Sequence, residues 1–267
     1  MTLPKAFPLP PTDPHHREAP TMTLVNFRDP ATLADPAGRW IRPGALYRSA
    51  QPFPHDNADI AAQLRTADVR TIVDLRGDAE ARDDDWAVSA ADGVEVVAAR
   101  IQPTNGDLAA AMREMTTDAD LGAFYLLMAE SAPEAVKLAV EAAARPGGVL
   151  LHCAAGKDRT GLLTALLLDL LGVPTEEIVA DYARTGAALT QIFEGLAERN
   201  RAALNDYENG TLTVPRPLLE APAGAMAAFL ELVGSRYGGT EGFLAHCGVD
   251  AGTVAAFRAK AAAGVTA

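Results

Sequence analysis

The segment Val149-Leu-Leu-His-Cys-Ala-Ala-Gly-Lys-Asp-Arg-Thr-Gly161 joins an apolar run typical of a buried strand to an apolar run typical of a helix. The strand-like run is Val149 to Leu151, and the helix-like run is Leu162 to Leu171. A strand, a tight glycine-containing loop and a helix start form a concave backbone whose amide N–H groups converge, and the helix N-terminus adds positive potential there. The segment therefore predicts an anion site, with Cys153 at its base and Arg159 at its rim.

Cys153 and Arg159 have the chemistry that cleavage of a phosphate ester requires. A helix N-terminus and neighbouring cations favour the thiolate form of a cysteine, and the thiolate is the nucleophile. The planar guanidinium of Arg159 can hold two phosphoryl oxygens at once, which an ammonium group cannot do. We expect in-line attack on phosphorus, giving a phosphocysteine that water hydrolyses, while Arg159 and the loop amides stabilise the developing charge. This reaction calls for no metal and no cofactor.

The motif His-Cys-x5-Arg-Thr, from His152 to Thr160, resembles the signature of the cysteine-dependent protein tyrosine and dual-specificity phosphatases. Its fuller form, HCAAGKDRTG, resembles an atypical bacterial branch of that family, which acts on phosphotyrosine and often on phosphoinositides. Other segments agree with that branch in order, from about Asn26 to the C-terminus: Asn26–Asp29, Leu46–Ser49, Ile72–Arg76 and Asp181–Ala183. One departure is that Pro30-Ala31 stands where the family usually has Leu-Gly-Gly.

The resemblance implies the cysteine phosphatase fold and activity on phosphotyrosine, with phosphoserine, phosphothreonine and phosphoinositides as further substrates. The substrate phosphate is then expected to bind the loop residues Ala154, Ala155, Gly156, Lys157, Asp158 and Arg159. Phosphoinositide phosphatases of this superfamily also carry a lysine at the offset of Lys157, which implies activity on lipid headgroups. We expect a phosphoprotein or a phosphoinositide as the partner.

The proton for the leaving group has three candidate sources. Asp158 lies in the loop beside Arg159, and the resemblance supports an aspartate there. Asp74 ends an apolar strand, and strand ends of parallel sheets are where sites form. Asp83 to Asp85 precede Trp86, but a solvated charge run is the favoured interpretation of those three. We favour Asp158 over Asp74 as the general acid.

Other polar residues of these motifs have supporting or structural roles. We expect His152 to orient the loop through a hydrogen bond, and Lys157 to add a cation, a surface lysine being the alternative. Thr160 either donates its hydroxyl to the sulfur or caps the helix. Arg48 and Arg76 either line the cleft or pair with buried carboxylates.

Composition excludes several other classes of protein. The chain has 267 residues, 49% of them hydrophobic and 22% charged, which is enough for one large globular domain over residues 23–267. Residues 1–22 are rich in proline and are expected to be disordered or extended. A net charge of −12 argues against a nucleic-acid surface and against unaided attraction to anionic membranes. The longest apolar run, Leu162 to Val173, is too short to span a bilayer, so no stable membrane insertion is expected.

The two cysteines lie far apart and form no disulfide framework. Cys247 also follows a histidine, but no arginine stands at the required offset, so we interpret Cys247 as structural. A thiolate nucleophile needs a reducing compartment, which favours the cytoplasm, with secretion by a non-standard route as the alternative. The sequence leaves the oligomeric state open.

Short apolar runs alternate with helical stretches along the chain. The runs that predict strands are Ala45–Arg48, Arg70–Leu75, Val94–Ala98 and Val149–His152. The stretches that predict helices are Asn57–Thr66, Leu121–Glu130, Pro133–Arg145, Ala221–Tyr237 and Thr253–Ala263. This alternation predicts an α/β fold: a central, mostly parallel sheet of four to five strands flanked by helices. By resemblance, residues 187–212 form a helical lid that gates the site and shields Cys153, with two extra surface helices as the alternative.

Two other functions compete with a phosphatase. A catalytically silent module that only recognises phosphate would use the same cradle, but it needs no nucleophile such as Cys153. Thiolate chemistry of another kind is the second competitor. Arsenate reduction usually needs nearby resolving cysteines, and sulfur transfer does not need an arginine at this spacing.

Overall fold

The computed structural model describes residues 24–35, 37, 40–53, 57–87, 92–102, 106–199 and 214–262. The predicted N-terminal segment 1–22 lies outside these residues, as do positions 200–212 of the predicted lid.

Four parallel strands form one sheet in the described part of the chain, in the spatial order β1-β4-β2-β3. Their bounds are β1 Leu46–Ser49, β2 Val69–Asp74, β3 Glu95–Ala98 and β4 Gly148–His152. His152 at the end of β4 lies beside Ser49 of β1 and Asp74 of β2. The segments that follow these three strands therefore start at one edge of the sheet, and the predicted parallel α/β architecture is confirmed.

Helices account for most of the remaining described chain. They are α1 Pro30–Ala34, α2 Asn57–Thr66, α3 Gly106–Glu114, α4 Asp118–Glu130, α5 Pro133–Ala143, α6 Asp158–Leu170, α7 Thr175–Ala183, α8 Leu189–Arg199, α9 Arg216–Leu219, α10 Ala223–Tyr237, α11 Thr240–His246 and α12 Ala251–Ala261. A 3₁₀ turn over Arg184–Ala188 joins α7 to α8. The helix after the predicted anion-binding loop begins at Asp158, four residues earlier than its apolar run predicts, so Asp158 and Arg159 belong to its first turn.

Both faces of the sheet are covered, which explains why the inner strand β4 is apolar up to its last residue, His152. All five residues of β4 are buried. A large apolar cluster that includes residues of α4, α5, α6 and α10 packs against one face, and a smaller one built on Leu64, Ile72, Trp86 and Leu150 packs against the other. Among the described helices, none has both the length and the apolar character to cross a membrane.

A close crossing between α4 and α10 fixes the position of α4. A Cβ atom at Gly122 of α4 would lie 2.6 Å from the Ala225 carbonyl oxygen and 2.7 Å from the Ala228 Cβ of α10. Only a residue without a side chain allows this approach, because the contacting atoms are mostly backbone. The crossing holds in place the helix that carries Tyr125.

We predict that Gly122→Ala destabilises the fold by about 1–3 kcal/mol, because the new methyl group overpacks the crossing. The matched control is Gly234→Ala in α10, where a Cβ would meet nothing within 4 Å. That variant should be stabilised by about 0.5–1 kcal/mol, since alanine is the better helix former. Denaturant unfolding of both variants measures the two effects, and equal stabilities would contradict the close crossing.

Candidate active site

The catalytic loop, residues 153–157, connects β4 to α6 at the carboxyl edge of the sheet. Cys153 follows the last residue of β4, and it is buried. Gly156 has a φ of +64°, and a Cβ there would lie 2.2 Å from the Ser49 carbonyl oxygen. The loop therefore lies directly against the end of β1, which requires glycine at this position.

The carbonyl groups of residues 153–156 all accept hydrogen bonds from residues outside the loop. The donors are His152 Nδ1 to Cys153 at 3.1 Å, Gln51 N to Ala154 at 3.1 Å, Asn26 Nδ2 to Ala155 at 3.3 Å, and both Asn26 Nδ2 and Arg48 Nη2 to Gly156 at 3.1 and 2.9 Å. The amide N–H groups of residues 154–158, by contrast, have no acceptor in the described part of the chain. Because the N–H of a peptide unit points opposite to its carbonyl, the loop presents unpaired donors on its inner side, as an anion site requires.

A buried ion cluster holds in place the Arg48 side chain that donates to the Gly156 carbonyl. Asp181 of α7 accepts from Arg48 Nη1 at 2.6 Å and from Arg28 Nε at 2.7 Å. Burial alone would raise the pKa of Asp181, but the two guanidinium groups lower it, so the carboxylate is ionised. Of the two roles considered for Arg48, pairing with a buried carboxylate is therefore the one observed. The Asn-Phe-Arg-Asp segment supports the loop through two of its side chains. Asn26 donates to the Gly156 carbonyl, and Arg28 binds the Asp181 carboxylate that also holds Arg48.

Glu80 binds the guanidinium of Arg159 with both carboxylate oxygens. The Nη1–Oε2 and Nη2–Oε1 distances are 2.6 and 2.7 Å. Glu80 is itself anchored by the Gly77 amide at 2.8 Å. Burial would raise its pKa, but Arg159 lowers it, so Glu80 is negatively charged. Glu80 thus occupies one edge of the guanidinium, while Nε makes no hydrogen bond with any described residue and remains available to a phosphoryl oxygen.

Asp74 is held by Arg76, two residues along the chain. It accepts from the backbone N, Nε and Nη2 of Arg76 at 3.0, 2.9 and 2.7 Å. Burial would raise the pKa of Asp74, but His152 and Arg76 outweigh it and lower the pKa to about 2. Asp74 is consequently an ionised hydrogen-bond acceptor at neutral pH, and Arg76 pairs with buried carboxylates.

His152 is neutral and orients the loop. The indole N–H of Trp86 donates to His152 Nε2 at 3.0 Å, and since indole is only a donor, Nε2 carries no proton. Nδ1 therefore bears the proton and donates it to the Cys153 carbonyl. Burial lowers the pKa of His152 to about 4, in agreement with a neutral ring.

The interpretation of residues 83–85 as a solvated charge run is wrong for Asp85. Asp83 and Asp84 are exposed, but Asp85 accepts from Arg76 Nη1 at 2.7 Å and from both terminal nitrogens of Arg199 at 2.7 and 2.6 Å. Arg199 is the last residue of α8, so this pair attaches the described half of the predicted lid to the end of β2. The gating role of residues 187–212 stays a prediction.

The inner loop residues Lys157 and Asp158 are joined to other elements. The Lys157 ammonium is buried and donates to the carbonyls of Leu218 and Glu220 at 2.5 and 2.7 Å, so Lys157 is not a surface lysine. It also lies 3.2 Å from Asp158 Oδ1, whose side chain is 24% exposed. The buried hydroxyl of Thr160 has no hydrogen-bond partner among the described residues, so it neither donates a hydrogen bond to the Cys153 sulfur nor caps α6.

Cys247 differs from Cys153 in its surroundings. It is buried, and burial, reinforced by Glu130, raises its pKa to about 12. Its thiol is therefore protonated and unreactive at neutral pH, as a structural role requires.

Comparison with known proteins identifies the family. A family model described as the tyrosine phosphatase family matches residues 19–263. The chain belongs to this tyrosine phosphatase family. It is 31% identical over 228 residues to a Cupriavidus necator protein named as a tyrosine-protein phosphatase, an alignment that covers 83% of this chain and 81% of the relative.

A second relative of this tyrosine phosphatase is PtpB of Mycobacterium tuberculosis, named as a triple specificity protein phosphatase. The two are 28% identical over 264 residues, which cover 86% of this chain and 93% of PtpB. A solved structure of P. aeruginosa TpbA shares 25% identity over 57% of this chain and 82% of its own, but its TM-score of 0.33 adds nothing to the assignment. The resemblance to bacterial tyrosine and dual-specificity phosphatases that the loop predicts is confirmed.

Sequence reasoning about this phosphatase missed Glu80. It lies in a polar run after β2, and its only signal is that an acidic residue follows a strand whose carboxyl end faces the site. Asn26 was recognised as part of a family motif, but its contact with the loop carbonyls spans about 130 positions of chain, which no local pattern reveals.

We predict that Glu80→Ala lowers kcat/KM for an aryl phosphate by about tenfold or more, because the guanidinium of Arg159 loses the contact that orients it. The control is Asp78→Ala in the same turn, whose carboxylate is exposed and pairs with Arg100. Vanadate affinity should fall in the first variant and stay constant in the second. Tighter vanadate binding by Glu80→Ala would show instead that Glu80 competes with the phosphate.

Proposed function

We propose that this protein is a metal-independent phosphatase that uses Cys153 as nucleophile and hydrolyses phosphotyrosine through a phosphocysteine intermediate. The supporting observation is the convergence of three features on one loop. The loop has unpaired amide donors, a cysteine at its base, and an arginine with one free edge. A phosphoryl group bound there would place its equatorial oxygens on the amides and Arg159, and its phosphorus above the sulfur.

The first step transfers the phosphoryl group to sulfur. The Cys153 thiolate forms a bond to phosphorus as the bond to the leaving oxygen breaks, and that oxygen takes a proton from the general acid. In the second step water attacks the phosphocysteine, its proton passes to the same residue, and phosphate and thiolate are released. Arg159 and the amides hold the same charge in both steps.

Asp158 is the better candidate for the general acid. It is adjacent to Arg159, its side chain is partly exposed, and only one of its carboxylate oxygens is hydrogen bonded. Asp74 accepts three hydrogen bonds from Arg76, and its pKa of about 2 leaves it without a proton to give at neutral pH. Asp74 then serves to hold Arg76 beside the loop.

A broader substrate range is also part of the proposal. The triple specificity in the name of PtpB supports activity beyond phosphotyrosine, on phosphoserine, phosphothreonine and phosphoinositides. For a lipid headgroup, Lys157 would have to exchange the carbonyls of Leu218 and Glu220 for a second phosphate. The need to keep Cys153 reduced supports a reducing compartment, such as the cytoplasm, as the site of action.

The central prediction concerns the nucleophile. Cys153→Ser should lower turnover of an aryl phosphate by at least about 1,000-fold while vanadate or phosphate still binds, because the oxyanion site is retained. Cys247→Ser is the matched control and should keep wild-type turnover. Both assays are run in excess chelator. Turnover that survives in Cys153→Ser, or that requires added metal, would overturn the mechanism, and a wild-type protein that binds phosphate without turnover would be a recognition module.

The acid assignment is tested separately, with aryl phosphates whose leaving groups differ in pKa. Asp158→Asn should lose about 100-fold in kcat/KM on the poorest leaving group and much less on the best, because a good leaving group departs without a proton. Asp74→Asn should lose similar factors on every substrate. The opposite pattern would make Asp74 the acid. If each variant lost the same factor on every leaving group, neither aspartate would be the acid.

A further inference from the structure

The two carboxylate oxygens of Asp158 have different surroundings. Oδ1 accepts a hydrogen bond from the Tyr125 hydroxyl at 2.6 Å and lies 3.2 Å from the Lys157 ammonium. Oδ2 accepts no hydrogen bond from any residue that the structure describes. One oxygen thus accepts a hydrogen bond and lies beside an ammonium group, and the other is left for a different partner.

The hydroxyl of Tyr125 has a defined direction. Tyr125 lies on α4 and is fully buried, and its oxygen is also 2.7 Å from the hydroxyl of Tyr182 on α7. A hydroxyl has a single proton, and Tyr125 gives its own to the carboxylate. The hydroxyl of Tyr182 must therefore donate to Tyr125, so the hydrogen bonds run from Tyr182 through Tyr125 to Asp158.

Both tyrosines keep their protons at neutral pH. Burial, followed by the nearby charge of Asp158, raises the pKa of Tyr125 and of Tyr182 above the ordinary value for a phenol. The two hydroxyls are consequently dependable donors. They do not compete with Asp158 for the role of acid.

We propose that Tyr125, backed by Tyr182, is a positioning residue for the general acid. The inference rests on the assignment of Asp158 as that acid. With Oδ1 held by Tyr125 and Lys157, the transferable proton resides on Oδ2, and the rotation of the carboxyl group is fixed.

Proton transfer strengthens this arrangement. As the phosphorus–oxygen bond breaks, the leaving oxygen takes the bonding electron pair and the proton from Oδ2, and the carboxyl group becomes a carboxylate. The negative charge formed is shared with Oδ1, to which the Tyr125 hydroxyl already donates and beside which the Lys157 ammonium already lies. Hydrogen bonds to a charged acceptor are stronger than those to a neutral one, so these contacts stabilise the transition state more than the ground state.

The tyrosine rings pack separately from this chain of hydrogen bonds. The rings of Tyr125 and Tyr182 meet edge to face with centroids 6.1 Å apart, and Tyr125 meets Phe229 in the same way at 6.4 Å. Replacement by phenylalanine removes only the hydroxyl and keeps these ring contacts. The substitution therefore isolates the hydrogen bond from the packing.

The chain offers a matched control at the C-terminal end of α4. Tyr237 of α10 donates to the carboxylate of Glu130, the last residue of α4, at 2.7 Å. Tyr237→Phe also deletes a hydrogen bond from a tyrosine to a carboxylate, in this case between α10 and α4. It touches no residue of the catalytic loop.

The test measures kcat/KM for a series of aryl phosphates with leaving groups of different pKa in five variants: Tyr125→Phe, Tyr182→Phe, Tyr237→Phe, Asp158→Asn and the double variant of Tyr125 and Asp158. Tyr125→Phe should lose about tenfold on the poorest leaving group and little on the best, the selective loss expected when an acid is misaligned. Tyr182→Phe should show the same trend more weakly, and Tyr237→Phe should match the wild type. The double variant should be no worse than Asp158→Asn alone.

The outcomes separate this inference from the proposed function. If Asp158→Asn loses most on the poorest leaving group but Tyr125→Phe loses equally on all, the acid assignment stands and the positioning role is overturned. If Asp158→Asn loses the same factor on every leaving group, Asp158 is not the general acid and Tyr125 does not position one. Unfolding midpoints are measured for every variant, and if Tyr125→Phe does not fold, the selectivity of Tyr182→Phe against Tyr237→Phe decides.

Discussion

The hydrogen bonds that Asn26 and Arg48 donate to the Gly156 carbonyl are the constraint on which the catalytic loop depends. They turn the peptide units of the loop so that their N–H groups face inward without acceptors. Such a loop is unstable by itself, since unpaired amides are unfavourable unless an anion or water binds them. The buried carboxylate of Asp181 fixes Arg48 and so keeps this arrangement in place before any substrate arrives.

The charged groups around the site form two separate systems with different tasks. Behind the loop, Asp181 and its two arginines orient the backbone. At the end of β2, the carboxylates of Asp74 and Asp85 hold Arg76, and Asp85 also binds Arg199 of α8. In both systems every buried charge meets an opposite charge, which is the condition under which a buried ion is tolerated. With these other charges paired, the cationic group that this acidic chain leaves for a phosphate is Arg159. Its partner, Glu80, covers only one edge of the guanidinium.

Much of the architecture follows from local patterns. The strands and the helix behind the loop are short apolar runs separated by turn residues, and their observed bounds agree with the predicted ones within about a residue except at Asp158. That helix starts early because loop residues with polar side chains can still adopt helical backbone angles, so the apolar run marks its core and not its first turn. Helices α1, α3, α9 and α11 were not predicted, because short helices depend on tertiary packing more than on their own sequence.

The sequence by itself determined the reaction class, since Cys153, Gly156 and Arg159 are neighbours along the chain and their geometry is set by one strand, one loop and one helix. Only the tertiary structure decided which groups orient them. Glu80 binds Arg159, Asn26 binds the Gly156 carbonyl, and Tyr125, in contact with Tyr182, binds the neighbouring Asp158. These residues lie in separate parts of the chain, and no local periodicity marks contacts between them. The roles of Lys157 and Asp158 belong to this second class as well, because the partners of their charged groups lie on α4 and on the segment around α9, far away in sequence and adjacent only in the folded chain.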